Sequence, residues 1–229
     1  MSEPSVPPNA PAETTASPAT PDWAERTEQL VLDAALRIVD SIGFNESLVV
    51  QAAQDCGLSR GDAELLMPHG ARDLAALLSR RHDALALHAL STFDLGSLKV
   101  RQRIFAGVEA RLEVAAADEG AVRRWATYLA WPTRFPLALR LVWDSADQIW
   151  RWAGDTATDE NHYSKRAILA GILISALAVR LAQGRTAAED FVMARIDNVM
   201  AFEKWKAGQA RPSKLFAEVA AALARLRYR

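Results

Sequence analysis

The stretch IWRWAGDTATDENHYSKRAILA, residues Ile149 to Ala170, reads as two helices and the corner between them. Gly154 has no Cβ, so it can end the first helix in the left-handed conformation that other residues resist. Thr158 is a candidate N-cap for the second helix. Asp159 and Glu160 place negative charge in its first turn, where the helix dipole favours it. Positions three, four and seven beyond Asp159 share one helix face. Asp159, His162, Tyr163 and Arg166 therefore form a candidate partner-binding cluster. The plainer reading of that face is a solvated surface.

Working outward, the same period continues in both directions. Downstream, the apolar run Ala167 to Val179 is interrupted by Gly171 and Ser175. It is shorter than the roughly 20 residues that cross a bilayer. The spacing predicts a helix to about 182, a stop at Gly184, a helix over 187–206, a breaker from Gly208 to Pro212 and a last helix over 213–228. Upstream, Leu30, Ala34 and Ile38 recur beside Val31, Ala35 and Val39, predicting a helix over 24–41 that ends at Gly43. Short helices are expected over 47–55 and 59–66, the second capped by Ser59. Longer ones are expected over 71–92, 98–117, 119–131 and 136–153. No segment alternates as a strand does, so the fold class is all-α.

Composition narrows the function. The 229 residues are 50% hydrophobic with a formal net charge of −1, so no overall charge draws the chain to nucleic acid or anionic lipid. One cysteine, Cys56, excludes a disulfide within the chain and a cysteine-based metal site. Residues 1–22 hold six of the ten prolines and are expected to be a disordered tail. They contain no Lys or Arg and no apolar run, which leaves cytoplasmic as the default location. His69, His82, His88 and His162 make no pair at metal-ligand spacing, and no Glu-x-x-His occurs. No enzyme, metal or cofactor is expected.

The seven tryptophans fit core, interface or the walls of an apolar cavity. The final segment offers a different signal. Leu215, Val219, Leu223 and Leu226 form one stripe with Phe216 beside it. Lys214, Arg225, Arg227 and Arg229 stand against Glu218 alone. A basic amphipathic helix of this kind can lie in an anionic lipid interface, with Arg225 and the apolar stripe as its contacts. Docking on the body or on a second copy fits the spacing equally.

Two resemblances extend this reading. Ile38 to Leu78 resembles the helix-turn-helix of TetR-type regulators, in Gly43-Phe44, Leu48 to Asp55, Gly57-Leu58-Ser59-Arg60-Gly61, Leu66-Met67-Pro68 and Asp73-Leu74. The candidate recognition helix sets Arg60 against Asp62 and Glu64. From Trp23 to His82 there are six Arg, no Lys and nine Asp or Glu. A polyanion-binding helix needs the opposite balance, so the motif reads as vestigial and no nucleic acid is expected.

The C-terminal half resembles the ubiquinone-biosynthesis accessory family, the ninth of the Coq series. The match lies in Trp150, Ala153, Gly154, Asp155, Thr158, Asp159, Asn161, Tyr163, Arg166, Ala167, Leu169 and Ala170, and more weakly in Trp131-Pro132 and Arg195 to Asn198. The resemblance implies a TetR-like helical bundle over 23–208 that holds an isoprenoid or quinone intermediate. It implies peripheral attachment to the inner membrane through residues 213–229, presentation of the lipid to a diiron hydroxylase, and a homodimer. Phe105, Leu112, Leu129, Trp143, Ile149, Leu173 and Leu177 are the expected lipid contacts. His162 departs from the family's Asn-Trp-Tyr segment by replacing its first aromatic. The alternative is a TetR-type regulator that binds DNA and a small hydrophobic ligand.

Overall fold

The computed structural model describes residues 23–156 and 160–209. The Pro-rich segment 1–22, Thr158, Asp159 and the predicted final helix over 213–229 lie outside them. The described residues form nine α-helices and no strand. They are α1 Trp23–Ile42, α2 Glu46–Asp55, α3 Arg60–Leu66, α4 Ala71–Leu90, α5 Val100–Ala117, α6 Glu119–Leu129, α7 Phe135–Trp152, α8 Glu160–Gln183 and α9 Arg185–Gln209. Short 3-10 turns precede α5 and α7.

The expected cap at Ser59 is in place, and Asn45 caps α2 in the same way. Ser59 Oγ accepts from the amide of Asp62 at 3.1 Å, and Asn45 Oδ1 accepts from that of Leu48 at 3.1 Å. These bonds satisfy amides that have no partner inside the helix. The start of α4 uses a device that local sequence does not reveal. Both Glu46 carboxylate oxygens accept from the amide of Ala71, 25 positions on. Gly70 makes room for this, since its φ is +55° and a Cβ there would meet Glu46 Oε2 at 1.8 Å.

Two apolar cores share α7. The first joins α1, α2, α4 and α6 to the N-terminal half of α7 through Leu137 and Leu141. The second joins α5, α8 and α9 to its C-terminal half through Ala146 and Ile149, with Ala153 just beyond its end. A buried polar group sits at the junction of α4, α5 and α7. The Arg111 side chain donates to Asp83 Oδ1 at 2.7 Å, and Ser145 Oγ donates to the same oxygen at 2.7 Å. His82 Nε2 lies 2.9 Å from an Asp118 oxygen, and its Nδ1 lies 3.4 Å from Arg111. Burial, followed by the Arg111 charge, pushes the His82 imidazole down to about 4. The neutral ring then donates from Nε2 to Asp118 and accepts at Nδ1.

The extent of α8 revises one expectation. The apolar run read as 13 residues sits inside a continuous helix, and His162–Gln183 is long and apolar enough by length and composition to cross a membrane. In the bundle it serves as a core helix, with Leu169, Leu173 and Ala176 buried. Only 33% of the apolar stretch is buried. Tyr163, Ala167, Gly171, Ile174 and Ala178 are exposed, and their spacing puts them on one face.

Candidate functional site

The α7–α8 corner is built around Arg166. This side chain was expected on an exposed partner-binding face, and the structure places it inside, 1% exposed. Its guanidinium pairs with Asp147 of α7 and, at 3.0 Å, with Asp155 in the corner. It also donates to the carbonyl of His162 at 3.1 Å. The physical reason is that Asp155, with its side chain 7% exposed, turns into the bundle and needs cations. Lys165 supplies a second one at 2.7 Å. Burial pushes the Asp155 carboxyl up, but the hydrogen bonds from Lys165 and Arg166 outweigh it and hold it below its ordinary value. Gly154 turns the chain at φ +89°, as read from sequence.

A cleft of about 380 Å³ opens beside this network. Val100 and Ile104 of α5, Trp150 of α7 and Ala153 just after it, Ile168, Leu169 and Ile172 of α8, and Ile196 and Val199 of α9 give it apolar walls. Arg101, Arg103, Asp155, Ser164 and Lys165 give it a polar lip. The lip is held from several sides. Arg103 donates to the carbonyls of Leu95, Leu98 and Ala153, tying the segment before α5 to the end of α7. Trp150 Nε1 donates to the Lys165 carbonyl at 3.1 Å, while the Lys165 ammonium lies 5.4 Å from the centre of the Trp150 ring. An apolar chamber with a few fixed polar groups at one edge suits a small amphipathic ligand, and its volume falls in the usual range of roughly 300–1,000 Å³.

The sequence-predicted lipid contacts do not converge on this cleft. Leu112, Ile149 and Leu173 are buried in the second core, with Phe105 and Leu177 packed against it. Leu129 belongs to the first core, on the other side of the junction. Trp143 is half-buried, 6.2 Å from the ring of Tyr163. Apolar period marks core and cavity wall alike, so it could not separate them. The signal that could have located the cleft is the junction of helix ends at Gly154, where backbone turns leave space between packed side chains.

Of the remaining partner-binding candidates, Asp159 lies outside the described residues, while His162 and Tyr163 behave differently from Arg166. Tyr163 is 65% exposed, and the His162 ring meets it edge-on at 5.1 Å. With Trp143 they form an aromatic surface immediately outside the corner.

Among the described residues no group of three or more His, Cys, Asp or Glu side chains could hold a metal ion. In the segment read as resembling a helix-turn-helix, Cys56 to Ser59 connect α2 to α3, Arg60 pairs with Glu64, and Leu65 is 84% exposed.

The corner and most of the residues lining the cleft fall within a segment that matches a known family. Residues 135–203 match the COQ9 family model. The chain is 29% identical over 186 residues to the ubiquinone biosynthesis protein COQ9, mitochondrial, of Rattus norvegicus, covering 77% of this chain and 59% of that protein. The proteins of the same name from Homo sapiens and Xenopus tropicalis are 26% and 27% identical, each over 77% of this chain and 58% of their own length. The chain thus spans about three fifths of the relatives it matches.

Proposed function

We propose, on the premise that residues 135–203 form a COQ9-family domain, that this chain is a lipid-binding accessory protein of ubiquinone biosynthesis. The cleft beside Asp155 and Lys165 is the observation that carries this reading. Its apolar walls take the isoprenoid portion of a quinone intermediate. Its lip meets the oxygens of the head group with Lys165, Arg103 and Ser164. Most of its lining falls within the matched segment.

The aromatic surface of His162, Tyr163 and Trp143 is the proposed contact for a diiron hydroxylase that receives the bound intermediate. Asp159, outside the described residues, is carried with it as a neighbour in sequence. Arg166 acts beneath this surface by fixing the start of α8. Further along α8 the exposed face of Ala167, Gly171, Ile174 and Ala178 is apolar and mostly small, which supports contact with a second copy of the chain. The basic segment over 213–229 remains the proposed membrane attachment. The relatives are named as mitochondrial, which supports the membrane holding the ubiquinone pool as the place of work, in place of the cytoplasmic default.

Two measurements test the reading. Solvent extraction and mass spectrometry of the purified chain should recover an isoprenoid lipid. Ile168→Trp, which fills the cleft from a partly exposed wall, should cut that recovery roughly tenfold with the helical signal unchanged. Equal recovery from both proteins would remove the cleft as the binding site. For the partner surface, Tyr163→Ala should weaken hydroxylase binding by about tenfold or more, as loss of an exposed aromatic anchor does. Unchanged affinity in a titration of the two purified proteins would count against it.

A further inference from the structure

The corner between α6 and α7 lies at the opposite end of α7 from the cleft and presents apolar side chains to solvent. Trp131, Phe135 and Leu139 are 62%, 56% and 47% exposed. Phe135 and Leu139 share one face of α7, and Trp131 stands just ahead of it at the mouth of the 3-10 turn. Pro132, Thr133 and Pro136, between them, are exposed as well.

The corner is rigid. The Arg134 guanidinium lies 3.7 Å from the centre of the Tyr128 ring and donates to the Tyr128 carbonyl at 3.3 Å. The backbone amide of Arg134 closes the turn on the Trp131 carbonyl at 2.9 Å. Pro132 fixes its own φ in that turn. Leu137 and Leu141, on the reverse side of α7, anchor it in the first core. These aromatics are therefore held outward by packing.

Charge selects the occupant. In a chain of net charge −1, residues 120–143 contain Arg123, Arg124, Arg134 and Arg140 and no Asp or Glu. Arg123 and Arg124 face Glu119 and Asp40. Arg134 is stacked on an aromatic ring, and Arg140 is exposed beside Leu139. The next carboxylate along α7 is Asp144. Exposed Trp and Phe beside Arg, on a proline-stiffened corner, are the side-chain set that settles at the boundary between lipid head groups and acyl chains. An acidic protein surface could meet the same arginines, but exposed Trp, Phe and Leu on a proline-stiffened corner suit the head-group layer.

We propose that the α6–α7 corner is a membrane-insertion wedge for an anionic lipid surface. Trp131, Phe135 and Leu139 enter the head-group layer, and Arg134 and Arg140 meet lipid phosphates. The wedge is separate in position and chemistry from the cleft, and it does not depend on what the cleft holds.

The test uses the full chain and vesicles of phosphatidylcholine with or without phosphatidylglycerol. The chain should float with the anionic vesicles, and Trp131→Ser/Phe135→Ser should lower that partitioning by about tenfold with its circular dichroism unchanged. A second measurement separates the corner from any other membrane-binding segment. In a Cys56→Ser background, an environment-sensitive fluorophore at Leu139→Cys should shift to the blue on anionic vesicles and be quenched by lipid-borne quenchers. A fluorophore that stays in water while the protein floats would overturn the proposal. So would a double variant that floats like the parent chain, or a parent chain that does not float at all. A double variant that floats normally but loses a protein partner would assign the corner to protein contact instead.

Discussion

Replacing Arg166 with methionine is expected to destabilise the fold by about 3 to 5 kcal/mol, the usual cost of removing one partner from a buried ion pair. Methionine roughly preserves the apolar volume of the side chain, so little of the loss comes from a void. The loss comes from the two carboxylates left behind. Asp155 is almost fully buried and keeps only Lys165, while Asp147 keeps Arg151 at 2.7 Å. Those surviving cations place the expectation at the lower end of the range. Arg166→Lys should fall between the two proteins, because an ammonium cannot present a planar fork that spans both acids. Urea denaturation at pH 7 gives the result directly. A loss below about 1 kcal/mol would mean that Asp147 and Asp155 need no more than their other cations. Loss of partner binding in this variant would then be read through the geometry of the α8 start, since Arg166 has no surface to offer a partner.

The second large effect is a dependence on acid. In the unfolded chain His82 takes up a proton near pH 6.5, whereas in the fold it resists until about 4. Between those values the unfolded state binds more protons, so stability is fully present above the unfolded value and is lost as pH falls. The window is therefore pH 6.5 down to 4, and the loss attributable to this one residue is about 3 kcal/mol. Burial is the main cause, and the positive charges of Arg111 and Arg81 add to it, while Asp118 opposes it. Measured as the difference between the parent chain and His82→Gln across that window, the slope should flatten in the variant. Glutamine can still donate to Asp118, which keeps the comparison on proton binding. Identical slopes would show that His82 ionises freely in the fold. The same junction explains why α7 serves both cores as one unit: Asp83, Arg111 and Ser145 link α4, α5 and α7 through bonds that have no replacement in an apolar interior.

Much of the molecule was legible from local pattern. Helix boundaries at Gly43, Ser59, Gly154 and Gly184 follow from backbone freedom and side-chain capping, which act over a few residues and do not wait for the fold. The all-α class follows from a period that persists from Trp23 onward. The Gly154-Asp155 corner also emerged where it was read, because glycine can adopt φ +89° cheaply.

Other features depended on contacts that no local pattern contains. Glu46 caps α4 from 25 positions away, because the two chain segments meet only when α2 packs near α4. Arg166 shares helical spacing with Tyr163 and was grouped with it, yet one is 1% exposed and the other 65%. Residues three apart on a helix differ by some 60° in direction. That is enough to send one toward Asp155 and the other to solvent when a neighbouring helix supplies the acids. The cleft shows the same division. Phe105, Leu112, Ile149, Leu173 and Leu177 were rightly apolar and helical, but hydrophobic period reports only that a side chain avoids water. Whether it meets another side chain or an open space is set by how four helices come together. The sequence by itself therefore determined the helices, their order and the chemical character of the C-terminal half. Tertiary structure decided which charges went inside, which aromatics stayed out and where the chamber lies, because those outcomes depend on distances between residues far apart in the chain.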